Sequence, residues 1–507
     1  MKFRRIPNSV PLRVLGVSCL LGLAGCITPM GPNYKRPAVP LPTTWRVDLP
    51  QAAEVANTEW WRAFGDENLN RLIEQALIAN SDLLIATARV EQFAARLETT
   101  HSEYYPQLGT DLGYERDQRS EEIPEILRPG QPPTYNTFKG LLTISYEFDI
   151  WGRVRRANEG ARAQLLSQEQ TRHGVMLTVV TSVASTYFEL LAADRELEIA
   201  EQTLASWKSS WDLTDRKFHG GSATDISVGV MNAQYEDQAA VIPDVEHRIA
   251  FLEDSLSELL GENPGAIPRG HLSQLQLMDI PSDIPGHVLT RRPDVMAAEQ
   301  DLVAANATIG IAKTEYFPTF SLTGYYGQAS DMTQWLLAKT ARTGDLALDL
   351  VGPIFTFGRV EGDVRKARAE TKEQELHYLQ TVQTALKEVN DALVFSQQSR
   401  IRYNALHRHV VARQSVLEIT KMRYTGGSST DLDVFDADRE VYAAQNEELS
   451  GRLDEYLALV SVFKAMGGGW MQGEDQAHSA PGKQNPGHVS ASTSGQPSNV
   501  IKEVNAP

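Results

Sequence analysis

The chain has 507 residues with 48 basic and 65 acidic side chains, a net charge of −17 at pH 7, and two cysteines. So acidic a protein is a poor partner for nucleic acid or for anionic lipid. One cysteine, Cys19, lies inside the N-terminal apolar run, so a mature chain has no internal disulfide and must be held by packing and assembly.

Taken in chain order, Lys2, Arg4, Arg5 and Arg13 precede an apolar run from Val14 to Leu23 that is too short to span a bilayer and has the form of a secretory leader. Residues 1–25 are expected to be removed, which lowers the net charge by four units. Leu23-Ala24-Gly25-Cys26 has the form of a lipoprotein processing signal, with small residues before the cysteine. Cys26 is the expected acylated first residue.

A short phrase is written twice. Phe218-x-Gly220-Gly221-Ser222-x-Thr224-Asp225-Ile226 returns as Tyr424-x-Gly426-Gly427-Ser428-x-Thr430-Asp431-Leu432, 206 residues later. Residues 82–108 align with 294–320, and Trp151-Gly152-Arg153-Val154 with Phe357-Gly358-Arg359-Val360. The architecture is therefore a duplicated helix-strand-strand-helix-turn-helix unit. We divide the chain into an anchor and collar segment at 26–65, repeat one at 66–264, a linker at 265–292, repeat two at 293–470 and a tail at 471–507. The tail is rich in Gly, Ser, Pro, Gln and His and is expected to be disordered.

After the leader no run of eighteen apolar residues remains, so a membrane role must use strands. Leu108, Thr110, Leu112 and Tyr114 alternate with Gly109, Asp111, Gly113 and Glu115, and Leu142, Ile144, Tyr146 and Phe148 with Thr143, Ser145 and Glu147. Strands are expected over 106–118, 138–150, 318–328 and 346–356. The alternation also fits a soluble sheet with one face on a helical core. Closure separates the two: four strands cannot close a barrel, and open edges in hydrocarbon leave backbone groups unsatisfied. Spanning strands require several chains in one barrel.

No proline interrupts 154–219, which at about 1.5 Å per residue allows a helix of roughly 100 Å. Apolar residues step by three and four along Leu197, Ala200, Leu204, Trp207 and Trp211, along Val245, Ile249, Leu252, Leu256 and Leu259, and along Val382, Leu386, Val389 and Leu393. Such helices need neighbours throughout. Pro243 is expected to kink or unwind its own.

Together Cys26, Gly31-Pro32-Asn33-Tyr34-x-Arg36-Pro37, Trp60-Trp61-x-x-Phe64-Gly65-Asp66, Arg291-Arg292-Pro293-Asp294, Tyr316-Phe317-Pro318, the two Gly-Gly turns and Gly467-Gly468-Gly469-Trp470 resemble the TolC-like outer-membrane factors, in their lipidated OprM- or NodT-like branch. The resemblance covers about residues 26–470. It implies a mainly α protein with a membrane β-barrel: a homotrimer in which each chain gives four strands to a twelve-stranded barrel, continued by a coiled-coil helical tunnel across the periplasm. Residues around 45–80, 262–292 and 398–415 would form an equatorial collar, and loops 119–136 and 329–345 would face outside. Ile27, where an aspartate would retain a lipoprotein at the inner membrane, then directs the chain to outer-membrane lipids.

The implied function is a passive exit duct for small molecules, fed by a periplasmic adaptor and an inner-membrane transporter of the resistance-nodulation-division type. A duct for type I protein secretion and a structural coiled-coil envelope lipoprotein stay open as alternatives. Catalysis is not expected, since HExxH, GxSxG and GxxxxGK[ST] motifs are all absent. No cofactor is expected beyond the lipid on Cys26, and no metal site. His407 and His409 lie two apart on a helix and point apart.

The tip turns are the candidate docking surface for the adaptor, through Gly220, Gly221, Ser222, Thr224, Asp225, Gly426, Gly427, Ser428, Thr430 and Asp431. Paired glycines are expected to supply positive φ, and Ser or Thr to cap the outgoing helix. Asp433 and Asp436 replace Ser227 and Val230 of repeat one and share a helix face, so two rings of three carboxylates would narrow the pore and select cations. As like charges they are expected to raise each other's pKa. The resemblance implies that Tyr424 helps to hold the mouth shut. The arginine expected five residues later is Ser429 here, which leaves an ionic lock without its cation.

Overall fold

The structure is a computed structural model that describes residues 28–40, 45, 59–118, 120, 134–278 and 291–468. The expected leader, Cys26, the tail at 471–507 and most of loop 119–136 lie outside the described residues. Repeat one comprises α1 (Glu67–Ala79), α2 (Ser81–Ser102), β1 (Gln107–Gln118), β2 (Thr134–Phe148), α3 (Arg153–His219) and α4 (Asp225–Leu259). Repeat two comprises α5 (Pro293–Thr314), β3 (Thr319–Ser330), β4 (Arg342–Val351), α6 (Arg359–Thr425) and α7 (Asp431–Ala465). The long helices match between repeats: α3 and α6 each have 67 residues, α4 and α7 each 35.

The strands form one antiparallel sheet in the order β1-β2-β3-β4, with β1 and β4 as unpaired edges. The fourth strand, expected over 346–356, runs instead from Arg342 to Val351. Gly352-Pro353 follows it, and proline brings no N–H to extend a ladder. The segment expected as loop 329–345 is correspondingly short, with single 3-10 turns at Thr333–Trp335 and Lys339–Ala341.

No strand residue belongs to any of the buried apolar clusters among the described residues. Leu108, Leu112, Leu346 and Leu348 are 70–81 % exposed. A soluble sheet backed by helices would bury such a row, so that alternative is removed.

The main core lies where the segments around 60–76 and 267–275 pack against α3, α4 and α7. Trp60, Trp61 and Phe64 enter it from a 3-10 turn that Gly65 ends at φ 74°. Trp60 stacks on Phe463 at 5.0 Å, and Phe64 meets the edge of Phe188 at 4.9 Å. Asp66 caps α1 by accepting from the Asn68 and Leu69 amides, and its other oxygen accepts the Tyr187 hydroxyl at 2.7 Å. That hydroxyl accepts in turn from Gly270 N at 3.1 Å, tying 262–278 to the core. The Trp-Trp-x-x-Phe-Gly-Asp motif is thus a plug, and each such aromatic contributes about 1.5–3 kcal/mol by leaving water.

A second core joins α5, α6 and α7 through Val295, Leu302, Tyr378, Val382, Val389 and Val462. Arg292, nearly buried, donates to Asp294, Glu388 and the Ala465 carbonyl, which gives the Arg-Arg-Pro-Asp motif its structural task.

The three-four seams are largely buried, as at Val245, Ile249, Leu252 and Leu256. The helix α4 runs from Asp225 to Leu259 with Pro243 inside it, so the chain does not unwind there. One expectation is corrected. Helix α3 does contain an eighteen-residue window apolar enough to cross a membrane, because a few polar residues do not spoil it. That window is 61 % buried, and α3 supplies Val180, Val183, Ala184 and Phe188 to the main core. Residues 398–415, expected in the collar, are uninterrupted helix within α6.

Candidate functional site

At the end of each long helix pair the chain reverses in one geometry. Ser222 N donates to Lys217 O at 2.7 Å and Gly221 N to Phe218 O at 2.9 Å; Ser428 N donates to Arg423 O at 2.8 Å and Gly427 N to Tyr424 O at 3.0 Å. This crossed pair satisfies the last helical carbonyls and needs one left-handed residue. Only the second glycine supplies it: Gly221 has φ 75° and Gly427 φ 74°, whereas Gly220 and Gly426 lie near −82° and −81°. The expectation that both glycines of a pair are needed for positive φ is corrected.

Thr224 and Thr430 cap the outgoing helices, accepting from Ser227 N and Asp433 N, each at 3.2 Å. Asp225 and Asp431 are the first residues of α4 and α7, where the helix dipole favours an acid.

The acids of repeat two differ in role. Asp433 Oδ2 accepts from Thr430 N at 2.7 Å and from its hydroxyl at 2.8 Å, completing a reciprocal cap. The Thr430 backbone donor, above all, holds the Asp433 carboxyl below its ordinary value. Within one chain this is opposite in direction to the rise expected of Asp433 beside another acid, because the Thr430 donors stabilise its charged form. In repeat one Ser227 reaches the Thr224 hydroxyl at 2.8 Å instead, so Asp433 also serves to build the turn. Asp436 is exposed, with Arg439 as its ion-pair neighbour at 3.7 Å.

Tyr424 meets a cation that the sequence did not reveal. Lys217, at the last turn of α3, donates to the Tyr424 hydroxyl and to Asp431 Oδ1 at 3.2 Å, with its ammonium 4.6 Å from the Tyr424 ring centre. The hydrogen bond to Tyr424 raises the lysine above its ordinary value more than partial burial lowers it. Residues 217 and 424 lie 207 apart, so no local pattern announces the contact. Above it Trp207 packs on Phe435 at 4.3 Å, joining the two repeats a second time near the tip.

The histidines have separate partners: His407 contacts Glu448 at 2.6 Å, and His409 accepts from Arg413 at 3.1 Å. Among the described residues no group of three His, Cys, Asp or Glu is placed to hold a metal ion.

The family model of the outer membrane efflux protein matches residues 72–262 and 284–468, one segment on each repeat. The chain belongs to the outer membrane efflux protein family. The cation efflux system protein CusC of Escherichia coli is 29% identical to it over 469 residues, 91% of this chain and 100% of CusC. The toluene efflux pump outer membrane protein TtgC of Pseudomonas putida is 29% identical over 472 residues, 92% of this chain and 97% of TtgC. Among solved structures, the Campylobacter jejuni CmeC outer membrane channel aligns with a TM-score of 0.81 at 25% identity, covering 89% of this chain and 97% of that one. The open state of the Neisseria gonorrhoeae MtrE outer membrane channel aligns with a TM-score of 0.79 at 26% identity, covering 88% and 99%.

In this outer membrane efflux protein, Cys26 lies just before the described residues, and the segment after it is bolted to the base of the sheet. Met30 N donates to Trp151 O at 3.0 Å, and Arg156 donates to Met30 O at 3.0 Å and to Asn33 Oδ1 at 2.9 Å. Gly31, at φ 95°, lies so near Gly310 that a Cβ would come within 2.6 Å of its Cα. Arg36 and Tyr34 both donate to Glu299. The receiving residues Arg156, Glu299 and Gly310 were not singled out by sequence, because their roles depend on where the strap lands.

Proposed function

We propose that this chain is the protomer of a trimeric outer-membrane channel, the exit duct of a tripartite efflux system. It passes small molecules handed over by a periplasmic adaptor and an inner-membrane transporter of the resistance-nodulation-division type. The observation that carries the proposal is a four-stranded sheet with two open edges and exposed leucines, set at the head of two 67-residue helices. Only shared closure satisfies those edges in hydrocarbon.

The duct is passive and does no chemistry. The named relatives include a cation system and a toluene pump, and so wide a range suits a lumen that conducts rather than recognises. Cys26 carries the lipid, and the strap at 28–36 holds that anchor beside the sheet base. The two tip turns, at residues 218–226 and 424–432, form the adaptor-docking rim. Asp433, Asp436 and Tyr424 form the resting constriction. Since one Asp433 oxygen is engaged by Thr430, Asp436 supplies the more available charge of the two rings. Lys217 serves as the missing cation of the lock, tying the α3/α4 tip to the α6/α7 tip against the untwisting that opens the mouth.

Planar-bilayer recording of the purified protein tests both levels. Discrete cation-selective conductance blocked by trivalent cations is expected, with block and selectivity reduced in Asp433→Ala/Asp436→Ala. Absence of any conductance would overturn the duct. Unchanged selectivity and block in the double variant would remove the constriction alone.

A further inference from the structure

The two repeats finish the outer end of the sheet differently. Repeat-one positions map onto repeat two by adding 212 at the first strand and 206 at the second. Under that mapping Tyr114 becomes Tyr326, Phe138 becomes Gly344 and Asn136 becomes Arg342. The ladders keep the correspondence, with Tyr114 opposite Phe138 in one and Tyr326 opposite Gly344 in the other. In repeat one the three side chains complete one another. Tyr114 lies against Phe138 with ring centres 4.8 Å apart, and its hydroxyl donates to Asn136 Oδ1 at 3.0 Å. Repeat two loses the second ring and gains a cation.

What remains is a hollow on the face that carries the exposed leucines. An open groove of about 690 Å³ lies there, lined by Gly324, Gly344, Ile144, Leu346 and Tyr326, with Arg342 at its outer end. Leu346 and Tyr326 lie close over the glycines: a Cβ on Gly324 would come within 2.9 Å of Leu346 Cδ1, and one on Gly344 within 3.0 Å of Tyr326 Cδ2. Among the described residues neither the Arg342 guanidinium nor the Tyr326 hydroxyl has a polar partner, whereas their counterparts Asn136 and Tyr114 satisfy each other. Asp345, the first acid along β4, alternates onto the opposite face. On that opposite face Lys139 is neutralised by Asp111 at 2.7 Å.

Resting on the exit-duct reading, we infer that this groove binds one phosphate-bearing lipid of the outer leaflet, with an acyl chain over Gly324 and Gly344 and the phosphate on Arg342. The Tyr326 hydroxyl is the second donor. The level in the membrane fits. The long helices leave from the other end of the sheet, so Arg342, the first residue of β4, stands at the outer rim. The ten residues of β4 are near the 9–11 that a tilted strand needs to cross hydrocarbon, which puts the guanidinium at the headgroups. There its planar fork matches a phosphate, and a cation at that depth meets an anion instead of acyl chains. A net charge of −17 gives the chain no diffuse attraction to anionic lipid, so binding depends on this one cation beside this one hollow.

Native mass spectrometry of the full-length trimer, released from phosphatidylcholine nanodiscs containing diphosphoryl lipid A, counts the lipid retained. One lipid A per chain is expected. Retention is expected to fall at least about tenfold for the same lipid stripped of its phosphates, and by a similar factor in Arg342→Gln. Gly344→Phe, which copies Phe138 and keeps the cation, is expected to lose the lipid as well because its ring fills the groove. Equal retention of the two lipid forms by wild type overturns the proposal without recourse to any variant. Unchanged retention in Arg342→Gln or in Gly344→Phe, or displacement of the lipid by inorganic phosphate, also overturns it. Each of these results leaves the duct standing while the trimer conducts in planar bilayers; wild-type protein without conductance overturns the duct reading itself.

Discussion

Replacing Lys217 by alanine removes three contacts at once: the Tyr424 hydroxyl, the Asp431 carboxylate at 3.2 Å and the Tyr424 ring at 4.6 Å. Lys217 and Asp431 are each about a third exposed, so solvent screens the pair strongly. An ion pair this open contributes ~0.2–1 kcal/mol. The cation–π contact adds ~0.5–1 kcal/mol. The contacts share one ammonium and are not additive, which leaves about 1 kcal/mol per chain. If three mouths open together the closed state loses about 3 kcal/mol, on the order of a hundredfold in the closed-to-open ratio. The raised lysine contributes fully below its ordinary pKa and loses the contribution only as pH rises through the higher folded value, so the effect is flat from pH 6 to 9. Single-channel open probability in planar bilayers measures it, with melting of the trimer as a control for folding. Lys217→Arg, which keeps the charge and the ring contact, is expected to stay near wild type. An open probability in Lys217→Ala within twofold of wild type would refute the lock.

Further outcomes follow from the turns and the plug. Gly427→Ala must place a Cβ at φ 74° where nothing crowds it, so the cost of about 1–2 kcal/mol is conformational; tip proteolysis should quicken in this variant and not in Gly426→Ala. The lowered Asp433 carboxyl stabilises the start of α7 above the ordinary carboxylate range and loses that contribution as pH falls through its folded value. Amide protection over 431–434 is therefore expected to decline in acid for wild type, and to be weaker and pH-independent in Asp433→Asn. Trp60→Ala opens a cavity beside Phe463 and Phe64 and is expected to cost about 3–5 kcal/mol, read as a lower denaturation midpoint of the trimer.

Much of the fold was legible because its signals are local or periodic. Alternation along Leu108–Tyr114 announced a strand, the proline-free run from Val154 announced a long helix, and the written-out repeat announced two copies of one unit. The capping box at Thr430 and Asp433 was also within reach, since a Thr and an acid three residues apart is a local pattern. The early end of β4 could be read from Gly352-Pro353.

By itself, then, the sequence determined the periods, the turns, the repeat and the need for shared closure, because backbone hydrogen bonding and side-chain spacing act over a few residues. The tertiary structure alone decided which distant groups meet: Lys217 at Tyr424, Arg156 and Gly310 under the N-terminal strap, Asp66 at Tyr187. Those meetings follow from how helices of 67 residues lie against one another, and a small change in their crossing moves a tip by several ångströms.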